Sequence, residues 1–264
     1  MKIDVQELKE KKGIIKIDDT KPYFVNQLRR TMVSELPKLA IEDVIIYDNT
    51  SALFDEIISH RLGLIPIPTD LGLLSFKDEC SCKGKGCPSC TVRYTISKEG
   101  EGMIYSGDLQ PQEKSWKIKE DKIPIVELFE DQRLILEVEA VLGRGRDHAK
   151  WQPVIAPGYR FQPEISYDEK HKSDVEEFIE KLPKGIAELK KDKIEILDIK
   201  KLPIFESYID KYDIDFIYIF RDPTKIIFSY ETDGSLSAKD TLVNTCKILQ
   251  EKYNQFGKEL DKLK

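Results

Sequence analysis

The chain has 264 residues, of which 40% are hydrophobic and 34% are charged, with a formal net charge of −6 and a pI near 5.4. This length is sufficient for one large domain or for two to three small ones. A protein that grips nucleic acid by itself needs a basic excess, so the acidic balance argues against direct DNA binding as the main task.

Lysine and glutamate dominate the charge, a composition typical of thermophile proteins. No apolar run approaches the roughly 20 residues that a membrane-spanning helix needs. The N-terminus, Met1–Val5, has the pattern of a strand and lacks the apolar core of a signal peptide. We therefore expect a soluble, cytoplasmic protein.

The first 63 residues predict two strands, a helix, a third strand and a second helix. The strands lie on either side of Gly13. The first helix follows Thr20 as a cap, and its apolar residues recur every four positions: Phe24, Leu28, Met32 and Leu36. A β-rich stretch at 40–48 precedes the second helix, which Gly63 ends.

The middle of the chain changes pattern twice. Residues 69–90 lose periodicity and gain glycine, lysine and cysteine, whereas residues 91–167 are strand-like. Residues 173–220 then predict a small α+β segment. Its elements are a helix ending near Leu182, a strand at 194–199, a helix at 203–212 and a strand at 216–220.

A strand at 225–232 and a turn at Asp233-Gly234 precede a long C-terminal helix, which Ser237 caps with Asp240. Apolar residues form a seam along this helix at spacings of three and four: Leu242, Cys246, Leu249, Tyr253, Phe256 and Leu260. Such a seam is typical either of an intradomain core or of packing against a partner helix. We expect Cys246 to be a small core residue.

Four of the five cysteines lie within eleven residues: Cys80, Cys82, Cys87 and Cys90. In a reducing compartment this spacing favours a metal site over disulfides. Four thiolates on a flexible loop match a closed, structural zinc site with one ion, while iron–sulfur clusters usually have other spacings. The pattern predicts zinc, and an iron–sulfur cluster remains the less favoured alternative.

Three patterns have partial similarity to enzymatic sites. Asp213-x-Asp215 resembles the start of a two-metal carboxylate site, although it lies at a strand edge. The segment beginning at Gly143 lacks the third glycine of a phosphate-binding loop. His60, His148 and His171 have no serine or cysteine at a recognisable spacing. We therefore expect no catalytic residues in this chain.

Two long motifs resemble the alpha-like subunits of cellular RNA polymerases, the family of bacterial alpha, the archaeal D-type subunits and the eukaryotic third-largest subunits. The first combines residues 26–32, 40–42 and 55–67, and the second combines 143–145 and 148–153. The resemblance covers nearly the whole chain. It implies a non-catalytic subunit of an archaeal DNA-directed RNA polymerase, a nucleotidyltransferase complex.

The resemblance implies an α+β fold with a split dimerisation domain, formed by residues 1–48 and 223–264. A β-rich insert domain with the four-cysteine loop would occupy 49–164. A small ferredoxin-like subdomain would follow at 165–222. Some archaeal members hold an iron–sulfur cluster there, but this stretch contains no cysteine. We expect packing alone to stabilise it, through Val175, Phe178, Ile196, Phe205, Ile217 and Ile219.

The resemblance also implies partners. These are a small L-type subunit that forms a heterodimer, small zinc-binding N- and P-type subunits, and the second-largest catalytic subunit. Helices 24–36 and 242–260 would face the L-type subunit, and Gln27 would be among the polar residues that fix the platform. The expected partner-binding residues are Phe24, Leu28, Arg29, Arg30, Met32, Leu36, His60, Arg61, Leu242, Leu249, Tyr253, Phe256 and Leu260. The alternative function is a zinc-loop protein that contacts nucleic acid through Lys83, Lys85 and Arg93.

Overall fold

The computed structural model describes residues 1–190 and 193–263, and the chain divides into two compact units. The smaller unit comprises Met1–Lys2, Ile17–Pro22 and Arg160–Ile227, and the larger comprises Ile3–Lys16, Tyr23–Tyr159 and Phe228–Lys264. Within the described residues there are three sheets and five α-helices. The prediction of a mixed α and β fold is therefore confirmed.

The elements are numbered in chain order. The strands are β1 (Lys2–Leu8), β2 (Lys12–Asp18), β3 (Pro37–Asn49), β4 (Thr91–Glu99), β5 (Gly102–Tyr105), β6 (Gln110–Pro111), β7 (Pro124–Leu128), β8 (Arg133–Arg144), β9 (Val154–Tyr167), β10 (Ala187–Lys190), β11 (Lys193–Ile196) and β12 (Ile217–Thr232). The α-helices are α1 (Pro22–Ser34), α2 (Asp55–Gly63), α3 (Lys172–Lys181), α4 (Leu202–Lys211) and α5 (Ala238–Asp261). Short 3₁₀ turns join some of them.

A four-stranded antiparallel sheet, in the order β3-β8-β4-β6, forms the centre of the larger unit. Strand β8 alternates in the way that a half-covered strand requires: Leu134, Leu136 and Val138 are buried, and the residues between them are not. These side chains join α2 and the loops around it in one apolar core. The core fixes both ends of the segment that carries the four cysteines.

Two helices of the larger unit differ in how much of their length is buried. Helix α1 buries Val25, Leu28, Thr31 and Met32, a spacing that places them on one face. Helix α5 is capped by the Ser237 hydroxyl, which accepts the Asp240 N–H at 3.0 Å, as the sequence predicted. Among the described residues of α5, burial ends at Leu249.

The smaller unit contains the consecutive elements β9-α3-β10-β11-α4-β12, with the strands in the order β12-β9-β11-β10. This element order and strand order are those of a split βαβ unit. Helices α3 and α4 cover one sheet face with a core in which Phe178 and Phe205 meet edge to face. Of the six residues that we expected to pack there, Val175, Phe178, Phe205 and Ile217 are buried in this core, and Ile196 and Ile219 pack against it partly buried.

Two details of the sequence prediction were wrong. The strands predicted at 216–220 and 225–232 are one continuous strand, β12. Pro223 lacks the backbone N–H that a strand residue normally donates, yet the strand continues past it. Next to it, the Asp222 carboxylate accepts the N–H of Thr224 at 2.8 Å. Cys246 is exposed and is not a core residue, because the buried stripe of α5 consists of Ala238, Thr241, Thr245 and Leu249.

Within the described residues, no helix combines the length and apolar character that a membrane crossing demands.

Candidate metal centre and partner surface

The four cysteines lie on the loop between α2 and β4, in two successive tight turns. The Cys80 carbonyl accepts the N–H of Lys83, and the Cys87 carbonyl accepts the N–H of Cys90, both at 2.9 Å. Lys83, Gly84 and Gly86 all have positive φ angles, of 55°, 80° and 81°. This left-handed backbone bends each turn back on itself, and glycine adopts it at no steric cost.

The four sulfur atoms converge on one point. The Sγ atoms of Cys80 and Cys87 are 3.5 Å apart, those of Cys82 and Cys90 are 3.6 Å apart, and those of Cys87 and Cys90 are 3.9 Å apart. A tetrahedral ion with zinc–sulfur bonds of about 2.3 Å would separate its sulfurs by about 3.8 Å. The four cysteines could therefore hold one metal ion, and their geometry is compatible with zinc.

The same distances disfavour the other interpretations of this spacing. A disulfide requires sulfurs about 2.05 Å apart, and all four cysteines are free. In a cubane iron–sulfur cluster each thiolate bonds a different iron atom, which would hold the sulfurs farther apart than they are here. Among the described residues, this is the one group of cysteine, histidine or carboxylate side chains with metal-binding geometry.

Hydrogen bonds and crowding shift the pKa values of Cys80 and Cys87 in opposite directions. The backbone N–H of Cys82 and the hydroxyl of Ser75 lower the pKa of Cys80 to about 6. The backbone N–H of Ser89 acts in the same direction at Cys87, but the neighbouring thiols and burial raise the pKa of Cys87 to about 11. A bound cation would stabilise the thiolate form of the cysteines that hold it.

The loop is attached to the core of the larger unit on both sides of the cysteines. The Ser75 N–H donates to the Ser89 carbonyl at 2.9 Å, which closes the loop at its base. Phe76 packs against the apolar core, and the Arg144 guanidinium lies 4.0 Å from the centre of its ring. The cysteine spacing alone did not indicate these supporting residues.

The expected partner-binding residues of α1 and the turn after it fall into two groups. Leu28, Met32 and Leu36 are buried within this chain, with at most 3% of their surface exposed. Phe24 is 36% exposed and Arg30 is exposed, while Arg29 is half-buried and donates to the Asn26 side chain at 3.1 Å. The sequence pattern did not single out Tyr23, which is 76% exposed at the start of the same helix.

Helix α2 presents His60 and Arg61 at its C-terminal end, and both are exposed. The Arg61 guanidinium donates to the Ile125 carbonyl at 2.6 Å, which fixes its position on the surface. On α5, Leu242 is half-buried and Leu249 is buried, whereas Tyr253, Phe256 and Leu260 are 60%, 62% and 46% exposed. In the first half of the predicted seam Leu249 is buried, Leu242 is half-buried and Cys246 is exposed, whereas all three residues of the second half are exposed.

The structure shows where each of the residues considered as catalytic candidates lies and what it contacts. Asp213 and Asp215 are both exposed. The ring of His148 accepts the N–H of Lys150, and the ring of His171 stacks on Phe216 with centroids 4.7 Å apart. A Cβ atom at Gly143 would lie 2.2 Å from the Trp151 ring, so this segment is glycine-rich because it is closely packed.

Lys83 and Lys85 are exposed on the cysteine loop, but Arg93 is not free to bind phosphate. Its guanidinium pairs with Glu139 at 2.6 Å. Since two isolated lysines supply little of the charge that nucleic-acid binding requires, the geometry gives no support to the alternative function.

Comparison with known proteins identifies the class to which this chain belongs. The family described as the RNA polymerase Rpb3/RpoA insert domain matches residues 44–156. The DNA-directed RNA polymerase subunit Rpo3 of Picrophilus torridus is 36% identical, over 98% of this chain and 99% of the relative. The Rpo3 proteins of Methanosphaera stadtmanae and Methanosarcina acetivorans are also 36% identical, over 97% and 100% of this chain and 97% and 99% of the relatives.

The chain belongs to the Rpo3 family of DNA-directed RNA polymerase subunits, the archaeal members of the alpha-like group. The resemblance found in its sequence motifs is thus confirmed over nearly the full length. Membership implies other polymerase subunits as partners.

Proposed function

We propose that this chain is a non-catalytic assembly platform of RNA polymerase, and that it forms a heterodimer with a small L-type subunit of the same dimerisation fold. The observation that carries the proposal is the open half of α5. After Leu249, all but one of the described residues to Leu263 are exposed, and Gly257 is half-buried. Tyr253, Phe256 and Leu260 nevertheless continue the apolar seam.

Their spacing puts these three side chains on one face of the helix. Burying a large apolar side chain contributes about 1.5–3 kcal/mol relative to leaving it in water, so a partner that covers this face gains substantial binding energy. On α1, the exposed candidates are Phe24 and Arg30. Leu28, Met32, Leu36 and Leu249 would act indirectly, by holding the two helices in place.

The proposed domains are a dimerisation domain at 1–48 and 223–264, an insert domain at 49–164 and a ferredoxin-like subdomain at 165–222. The insert-domain match at 44–156 and the compact unit around 160–227 support this division. We propose that His60 and Arg61 help fix contacts with the second-largest catalytic subunit, and that small zinc-binding subunits join the same platform in the cytoplasm.

For the cysteine loop we propose one structural zinc ion held by Cys80, Cys82, Cys87 and Cys90. The support is the near-tetrahedral set of sulfur distances. With four protein ligands no coordination position stays open for water, so such an ion stabilises the loop and takes no part in chemistry.

The heterodimer is tested by co-expression with the L-type subunit and sedimentation of the purified pair. The double variant Tyr253→Ser/Phe256→Ser removes two exposed rings without touching the core of this chain. Loss of two buried aromatic anchors should weaken the heterodimer by about 100-fold or more.

The matched control is Glu251→Ser/Lys258→Ser, which alters two exposed residues on the opposite face of α5 and preserves the net charge. It should bind the L-type subunit as the unaltered chain does. A stable monomer beside its partner, or equal loss in both variants, would contradict the proposal.

A further inference from the structure

In the smaller unit, helices α3 and α4 cover one face of the sheet and do not cover the other face. Ile165 of β9, Ile194 of β11 and Ile217 of β12 are buried against α3 and α4. Ile194 and Ile165 are paired across the two strands. Since neighbouring residues of a strand point to opposite faces, the residues next to these isoleucines belong to the other face.

Two aromatic side chains are prominent on that other face. Tyr218 and Phe220 are separated by one residue on β12, and they are 57% and 59% exposed. Between them, Ile219 packs against the helix-covered core, and the next residue, Arg221, pairs with Glu206 of α4. The orientation of the two rings is therefore set by the strand itself.

The charged residues on this face largely neutralise one another. Lys190 of β10 lies 3.6 Å from Glu188 and 3.2 Å from Glu195. Lys225 pairs with Glu164. With Lys193 and Asp222, which lies 3.6 Å from Lys225, the charged side chains described here are three lysines and four carboxylates, so they offer no positive excess to a binding partner.

We propose that this face, defined by Tyr218 and Phe220, is a docking surface for an uncharged, aliphatic polypeptide segment of another polymerase subunit. Exposed aromatic rings surrounded by internally paired charges fit an apolar partner, because such a partner leaves no buried charge unpaired. The inference rests on membership of the polymerase family and not on the proposed heterodimer, since the residues of α1 and α5 take no part in it.

Single-stranded nucleic acid is the other ligand that stacks on aromatic residues of an open sheet. Proteins that bind it combine stacking rings with a positively charged path for the backbone. Here the rings lie among at least as many carboxylates as lysines. Strand β9, which neighbours β12, and strand β11, which neighbours β9, each carry a glutamate on the open face. The charge on the face therefore favours protein over RNA.

The test uses polymerase reconstituted from purified subunits with the full-length chain. The photoreactive amino acid p-benzoylphenylalanine replaces Tyr218 or Phe220 in separate samples, and crosslinked peptides are identified by mass spectrometry. Both positions should crosslink to one apolar segment of one other subunit. Tyr218→Ser/Phe220→Ser should weaken the retention of that subunit about tenfold.

The control places the same photoreactive residue at Glu176, which is exposed on α3 and belongs to the opposite side of the sheet. It should not reach that segment. Crosslinks from positions 218 and 220 to the transcript or template, or only within this chain, would overturn the inference. Sedimentation shows whether the chain still forms the L-type heterodimer in the same samples. An intact heterodimer without the expected crosslinks would contradict this inference and leave the proposed platform function standing.

Discussion

At the scale of single residues, the segment Gly143–Arg146 contacts the end of α1 by close backbone packing. The Arg146 N–H donates to the Ser34 carbonyl at 3.1 Å, which satisfies an acceptor that the helix end leaves open. Glu35 then pairs with Arg146 at 3.4 Å and with Lys252 of α5 at 3.3 Å. These contacts connect the two candidate partner helices through one short segment.

Gly145 allows this approach, because a Cβ atom there would lie 2.0 Å from the Val33 carbonyl oxygen. Gly145→Ala should therefore lower the free energy of unfolding by about 1–3 kcal/mol, since backbone has to move to admit the methyl group. Urea denaturation followed by circular dichroism measures the change.

Gly158→Ala is the matched control, because a Cβ atom at Gly158 meets nothing within 4 Å. That variant should stay within about 0.5 kcal/mol of the unaltered chain. Equal stability of the two variants would show that the contact between this segment and α1 does not constrain the fold.

The cysteines show what sequence can establish about single residues. Their spacing alone predicted that Cys80, Cys82, Cys87 and Cys90 act together, because the ligands of such a metal site lie close together in the sequence at recognisable spacings. The prediction for Cys246 was wrong, since an apolar seam read from large side chains overlooks Thr241 and Thr245. Both threonine side chains are fully buried, although they do not belong to the seam of large apolar residues.

At the scale of elements, the cysteine loop is expected to depend on its metal while the rest of the larger unit does not. The purified chain should contain one zinc per molecule by elemental analysis. Cys82→Ser should release the ion and loosen residues 75–91, because the binding energy of a structural zinc is local folding energy. The apolar core beneath the loop should remain folded in this variant.

Cys246→Ser is the control for this measurement, because Cys246 is an exposed cysteine on α5 outside the loop. It should leave the zinc content unchanged. Iron with acid-labile sulfide, or no metal at all, would refute a zinc site, and loss of all helical signal in Cys82→Ser would show that the site is not local.

The helices α1, α2 and α5 were predictable because their apolar residues recur at helical spacing, and α5 also because Ser237 caps its first turn. The continuity of β12 was not, since Pro223 normally signals a break. Only the side-chain acceptor at Asp222 shows how the strand tolerates it. The open half of α5 also required the structure, because an apolar seam predicts burial without saying which chain supplies the cover.

At the scale of the whole molecule, the sequence motifs indicated the family. The exposed surfaces that could bind partners were identified only from the structure. Tyr23 and the pair on β12 carry no periodic signal, because exposure depends on what the rest of the fold leaves uncovered. The negative charge and the exposed acidic pair at 213 and 215 are consistent with a subunit that works through contacts with other proteins.

The central claim is that this chain assembles a polymerase without contributing catalytic groups. The most direct measurement is template-directed RNA synthesis by polymerase reconstituted from purified subunits, with the chain omitted, unaltered, or carrying Asp213→Asn/Asp215→Asn. We predict no assembled enzyme and no RNA without the chain, and full synthesis with either form of it. Full synthesis in its absence, or loss of synthesis in an assembled enzyme that carries the double variant, would contradict the account.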